Sequence, residues 1–249
     1  MESFIESELD EFIKRLPNLG SSPPEAHLLM VALRSRLTKA LIGMPIKDIV
    51  VERKIIRPAP NWRENYKQKV INLVLLQTKG TYVVKKNDKD ITVPNGACAI
   101  FGTVSPRNVR KASSELMKLV FDDAFGPGDV LPRIDVKFFS MLHAHRSTES
   151  PRLLTVDIDN ATLFKDVRDR LSPFKVWMIT KTSRGYHIIL DMTNAPNAKD
   201  FWEGGGIWSQ IHALYPTEIE LQRDPQEPIP GTLYTKPDST EPNYVRIIE

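Results

Sequence analysis

Two carboxylates, Asp157 and Asp159, stand at i and i+2 at the end of the apolar run Leu153-Leu-Thr-Val-Asp-Ile-Asp159. On a strand, alternate side chains share a face, so both acids project the same way, roughly 7 Å apart at Cα. Acids aimed together repel and are costly unless a cation joins them. Mg²⁺ or Mn²⁺ does so with hard oxygen ligands. A pair of such ions about 4 Å apart is a common device for phosphoryl transfer. A polar strand end without a metal is the plainer reading of the same two residues.

Ser183-Arg-Gly-Tyr-His187 follows some 25 residues later. Arg184 has the planar fork suited to phosphate, or is an ordinary turn arginine. Gly185 permits a close backbone approach. His187 is either a donor to a triphosphate oxygen or a core histidine bonded to a carbonyl. Glu218-Ile-Glu-Leu-Gln-Arg-Asp224 supplies a third carboxylate. Asp224 is the expected third metal ligand, with Glu218 and Glu220 as rivals on one face of their strand. Pro230-Gly-Thr-Leu-Tyr-Thr-Lys236 is a turn ending in a cation that would neutralise phosphate charge or simply be solvated.

The elements that must carry these residues are legible over the last hundred positions. Periodicity predicts a strand over 152–158, a helix over 161–171, and strands over 174–180 and 186–191. A helix over 197–214 and a short strand near 218–223 complete the series. That order, β-α-β-β-α-β, is the split-βαβ (RRM-like or ferredoxin-like) plan. It places the first strand between the third and fourth, so the acids of strand one would lie beside His187. The fold class is therefore α+β, with this catalytic sheet packed against an N-terminal helical and α/β unit. A single domain, 1–249, would comprise subregions of about 1–150 and 151–249.

Earlier in the chain, helices are expected over 3–16 and about 25–43. A strand is expected over 50–56 and a helix over 61–76. Thr81–Val84 and Ile91–Val93 read as a hairpin, Ala97–Val104 as a buried strand. Ser105-Pro106 would open a helix running to about Phe121, and residues 132–146 would form another. Phe125-Gly-Pro-Gly128 reads as a loop.

Net charge is only +3, but residues 51–120 hold 14 basic against 5 acidic residues. A basic segment beside an acidic one fits a polyanionic substrate reacting at a carboxylate centre, or a solvated basic face. Arg107, Arg110 and Lys111 cluster at the turn Thr103-Val-Ser-Pro-Arg107, where a helix N-terminus would cradle phosphate or template. Trp62, Tyr66 and Tyr82 fit the core first and the stacking of a template base second. The single cysteine, Cys98, excludes an internal disulfide and a multi-cysteine zinc site, and lies in an apolar run. His143 and His145 read as helix surface. No run of 18 apolar residues occurs, and the acidic start lacks a signal-peptide pattern. An intracellular protein of cytoplasm or nucleoid, neither secreted nor membrane-bound, is expected.

Taken in order, these motifs resemble the archaeo-eukaryotic primase superfamily, of primase-polymerase type. Val156-Asp-Ile-Asp159 is similar to its first motif, Ser183-Arg-Gly-Tyr-His187 to its second, and the strand leading to Asp224 to its third. Pro230-Gly-Thr-Leu-Tyr-Thr-Lys236 looks like the turn that follows, with Tyr234 where histidine is usual. The resemblance covers about residues 152–236. It implies template-directed nucleotide addition to a DNA primer, as in DNA replication. Asp157, Asp159 and Asp224 would hold two divalent ions, Mg²⁺ or Mn²⁺. Ser183, Arg184, His187 and Lys236 would hold the NTP or dNTP. A zinc module is not expected. A helicase or accessory priming domain would then serve as partner. An end-joining repair polymerase, a catalytically silent nucleic-acid-binding module and a two-metal nuclease are the competing readings.

Overall fold

The computed structural model describes residues 5–78, 80–86, 89–124, 130–148, 151–193, 195, 198–223, 226–234 and 244–249. The protein is mixed α/β with antiparallel sheets. Its described elements are α1 (Glu6–Arg15), β1 (Glu25–Leu33), α2 (Ser35–Ile42), β2 (Ile49–Ile56), α3 (Trp62–Thr78), β3 (Thr81–Lys86), β4 (Lys89–Pro94), β5 (Cys98–Thr103), β6 (Arg107–Asn108), α4 (Val109–Ala124) and α5 (Ile134–Ala144). They continue as β7 (Leu153–Ile158), α6 (Phe164–Arg170), β8 (Val176–Lys181), β9 (Tyr186–Asp191), α7 (Ala198–Trp202), α8 (Ile207–Leu214), β10 (Ile219–Arg223), β11 (Gln226–Pro228) and β12 (Arg246–Ile247).

The first sheet runs β11-β5-β1-β2, with β6 also paired to β1. Its central strands are apolar on both sides because both sides are covered. Leu29, Val31, Leu33 and Ile100 join one core cluster with α1 and α3. Leu28, Met30, Ala32 and Ala99 join another with α4 and α5. This corrects the helix expected over 25–43. The nine-residue run Glu25–Leu33 is buried throughout and is a strand, and only Ser35–Ile42 is helical. A continuous apolar run fits a buried helix and a doubly covered strand equally well. Antiparallel neighbours on both sides decided between them.

The second sheet runs β10-β7-β9-β8-β12, with antiparallel pairing at each step. Alternation divides its faces. Leu154, Val156, Ile158, Ile188 and Leu190 pack with α6, α7 and α8. Leu153, Met178 and Ile189 turn the other way and enter the core of the first sheet. The expected helix over 197–214 is broken in two by Gly204-Gly-Gly206. Gly205 has φ +87°, and a Cβ on Gly206 would meet the Asp200 carbonyl at 2.5 Å. Helical backbone cannot continue through such a residue without strain.

The division near residue 150 is crossed by the chain itself. After β10 the chain returns to the first sheet as β11, and α1 is tied to the C-terminus through Ile247 N–H on Glu8 Oε2 at 2.7 Å. No helix among the described residues is long and apolar enough to cross a membrane.

Candidate active site

Register builds the site. Across the second sheet, Glu220 of β10 is paired with Asp157 of β7, and Asp157 with His187 of β9. Directly opposed residues of antiparallel strands share a face, so these three side chains form one row. Asp159 lies one pleat further on, where its N–H donates to the Glu218 carbonyl at 2.9 Å. Gln222, one pleat back, donates from Nε2 to Asp157 Oδ2 at 3.4 Å. At this end the face is polar and lines a cleft with residues of the first sheet.

His187 is almost enclosed. Its Nε2 lies 3.3 Å from Asp157 Oδ1, and its Nδ1 lies 2.6 Å from Glu227 Oε2. Glu227 belongs to β11 of the other sheet and is fully buried. Its second oxygen accepts from Thr155 Oγ1 at 2.5 Å. A carboxylate from one sheet therefore grips a histidine and a threonine from the other. Burial alone would lower the His187 pKa. The carboxylates of Glu227 and Asp157, with Asp159 beyond, reverse that and lift it to about 9. At neutral pH the ring is an imidazolium, hydrogen-bonded through Nδ1 to Glu227 and with Nε2 in ion-pair contact with Asp157. Asp157 moves upward, first because it is buried. His187 pulls the other way, while Glu227, Asp159 and Glu220 add like-charge repulsion.

The hairpin between β8 and β9 presents the rest of the second motif. Thr182 N–H donates to the Gly185 carbonyl at 2.9 Å, closing the turn. Arg184 stands half-exposed at the rim, with Nε 3.8 Å from Asp159 Oδ1. The Ser183 hydroxyl is buried and has no partner among the described residues. Gly185 serves a purpose other than approach to a ligand. A Cβ there would collide with the carbonyl oxygen of Ile158, so the glycine lets β9 start against the end of β7.

The cleft around these groups has a volume of about 330 Å³ and is lined by Asp157, Asp159, Glu220, Arg184, Arg34 and Tyr234 among others. Arg34 comes from the end of β1. Its guanidinium lies 3.2 Å from Asp48 Oδ2 and 5.4 Å from the centre of the Phe101 ring. Tyr234 is buried edge-on to the same ring.

Several expected residues stand elsewhere. Asp224 and Lys236 lie outside the described residues, as does the expected loop 125–128. β10 ends at Arg223, which pairs with Leu154, three residues before Asp157. The acid that β10 brings to Asp157 is thus Glu220. Arg107 is no surface cation: it is 1% exposed in β6, paired with Ala26. The turn before it, with Thr103, Val104 and Ser105, is buried as well, so no phosphate cradle exists there. The following helix starts at Val109, with Lys111 N–H donating to Asn108 Oδ1 at 2.9 Å. Arg110 and Lys111 are exposed on that first turn, and neither lines the clefts around Asp157. Trp62 and Tyr66 belong to the core, and Tyr82 packs partly against it. Cys98 is buried. His143 and His145 are half-buried, and His145 Nε2 lies 2.6 Å from Glu115.

Sequence reasoning missed Glu227, Gln222 and Arg34. Glu227 sits between a glutamine and a proline in a polar stretch, which carries no sign of burial. Arg34 was hidden inside a misassigned helix.

The carboxylates of Asp157, Asp159 and Glu220 are hard oxygen donors, the type that Mg²⁺ and Mn²⁺ prefer. The described residues contain no group of three His, Cys, Asp or Glu side chains gathered at ligand spacing. The donors fit a divalent ion in type, while these residues alone do not close its shell. No protein-family model, curated protein or solved structure matches the chain.

Proposed function

We propose that this chain is a template-directed nucleotidyltransferase of the primase-polymerase type. The observation that carries the reading is the cross-strand row Glu220–Asp157–His187, with Asp159 and Arg184 at its open end. The sheet order β10-β7-β9-β8 supports reading residues 153–223 as the split-βαβ unit of the archaeo-eukaryotic primase superfamily.

In this reading Asp157, Asp159 and Glu220 hold the metal side of the reaction, with Asp224 as a further donor. Two divalent ions there would acidify the primer 3′-hydroxyl and stabilise the departing pyrophosphate. The protein's own contribution is positional and electrostatic. His187, kept cationic by Glu227, faces the phosphates of the incoming NTP or dNTP. Arg184 offers a bidentate donor at the rim. Ser183, beside Arg184 in the same turn, would complete the hold on the nucleotide. Lys236 would add charge in the turn that follows. DNA template and primer are the macromolecular partners, a helicase or priming domain a natural companion, and the cell interior the setting.

A second reading rests on the basic bias of residues 51–120, 14 basic against 5 acidic residues, which nucleic-acid binding alone would use. It is a catalytically silent nucleic-acid-binding module. One experiment separates the two. A primed template is incubated with dNTPs and Mg²⁺ or Mn²⁺, and products are resolved by length. Extension that disappears in Asp157→Ala supports the polymerase. Binding without extension supports the silent module, and shortening of the primer identifies a nuclease. An unprimed template then tests initiation.

A further inference from the structure

The sheet edge formed by β10 carries a feature that the nucleotide site does not use. Trp202, at the end of α7, is 42% exposed, and none of the other three tryptophans is comparably open. Arg223, the last residue of β10, holds its guanidinium 4.5 Å from the centre of the Trp202 ring. Together they line a cleft of about 610 Å³ whose other walls include Arg146, Arg152 and Met192 and, among the described residues, no acidic one. Arg152 is exposed, and Arg146 is steered into place by donating from Nη1 to the Pro151 carbonyl at 3.3 Å.

The same two residues line a second groove of about 580 Å³ that follows β10 to Asp157, Asp159 and Glu220. Trp208 and His212, stacked at 5.6 Å, lie along it. A continuous surface thus runs from the carboxylates to an arginine-stacked, open tryptophan, and on to two more arginines.

We propose that this edge is a track for single-stranded nucleic acid, with a base stacked at Trp202 and phosphates against Arg223, Arg152 and Arg146. Aromatic stacking is tolerant of base identity because every base has a π-face, and arginines follow the backbone. Three arginines beside an open aromatic ring, with no acid among the described lining residues, suit the phosphates and bases of a single strand. The inference deepens the nucleotidyltransferase reading by naming where the template strand lies. It replaces the Arg107 region as the nucleic-acid contact.

The test uses the full chain, without metal or nucleotide, and an oligodeoxynucleotide longer than the upper end of the roughly 4–16 nucleotides that single-strand-binding modules cover. Binding is followed by anisotropy of a labelled strand and by quenching of intrinsic tryptophan emission. Quenching that is lost in Trp202→Phe, with affinity reduced roughly tenfold or more in Trp202→Ala, is the expected result. Arg152→Glu, in which an exposed position is changed, should weaken binding and flatten the dependence of log affinity on log salt by about 0.7 per lost phosphate contact or more. Wild-type affinity in both Trp202→Ala and Arg152→Glu overturns the track, and so does an acidic peptide that competes as well as DNA. Primer extension abolished by Asp157→Ala alongside unchanged strand binding in both Trp202→Ala and Arg152→Glu would sink the track alone. Strand binding that needs Trp202, in a chain that never extends a primer, would sink the polymerase reading alone.

Discussion

At the scale of single residues, the site is a balance of charges that only a sheet interior makes severe. Asp157 is held up in pKa by burial and by three neighbouring acids, and is relieved by one histidine. A carboxyl whose folded pKa exceeds its ordinary value is stabilising when protonated. That contribution is lost as pH rises through the folded pKa, so ionising Asp157 opposes folding. Asp157→Asn should therefore unfold no lower than wild type at pH 7 without divalent ions, while nucleotide addition falls at least about 100-fold. Thermal unfolding and primer extension, measured on one preparation, check both halves. A large loss of stability would mean that the Asp157–His187 contact outweighs the repulsion.

At the scale of elements, Glu227 is the joint between the sheets. It comes from β11, yet its partners Thr155 and His187 are on β7 and β9. Removing one partner of a buried pair strands the other, at a cost of about 3–5 kcal/mol. Glu227→Gln keeps the shape and removes the charge, and should destabilise by the lower end of that range at pH 7. His187 has its pKa raised from an ordinary 6.5 to about 9. Its stabilisation is complete below pH 6.5 and fades as pH rises through 9. The gap between wild type and Glu227→Gln in urea midpoint should accordingly narrow from pH 7 to pH 10. A constant gap would show that charge on His187 is not what Glu227 sustains. The β8–β9 hairpin offers a second test. Gly185→Ala drives a Cβ into the Ile158 carbonyl, backbone that can move only by parting β7 from β9. A cost of about 3 kcal/mol or more in urea unfolding is expected.

At the scale of the whole molecule, the acids at the cleft should couple metal binding to global stability. A ligand that binds only the folded state stabilises it by about 2.7 kcal/mol at one hundred times its dissociation constant. For a chain of this size that is roughly 5–10 °C in Tm. Titration with Mn²⁺ should raise Tm saturably in the wild-type protein and much less in Asp159→Ala or Glu220→Ala. Equal shifts in all three would place the ions elsewhere. Because β11 and β12 return to elements of the N-terminal half, unfolding should be a single transition when followed by both tryptophan emission and far-ultraviolet circular dichroism.

Local pattern alone determined much of this protein. Alternation in Leu153–Ile158 and Tyr186–Asp191, and the acids placed at i and i+2, put Asp157 and His187 on their strands and Asp159 just past the end of the first, because period-2 patterning needs no knowledge of distant residues. The break between α7 and α8 was also local, written in three successive glycines. Other features were decided only in three dimensions. Glu25–Leu33 became a strand because sheet partners and cover on both faces satisfied it. Arg107 vanished from the surface for the same kind of reason. The register set Glu220, rather than Glu218, opposite Asp157, and Glu227 reached His187 by a return to the first sheet. Register and sheet-to-sheet contact join residues far apart in the chain, and no window of sequence carries the energy of those contacts.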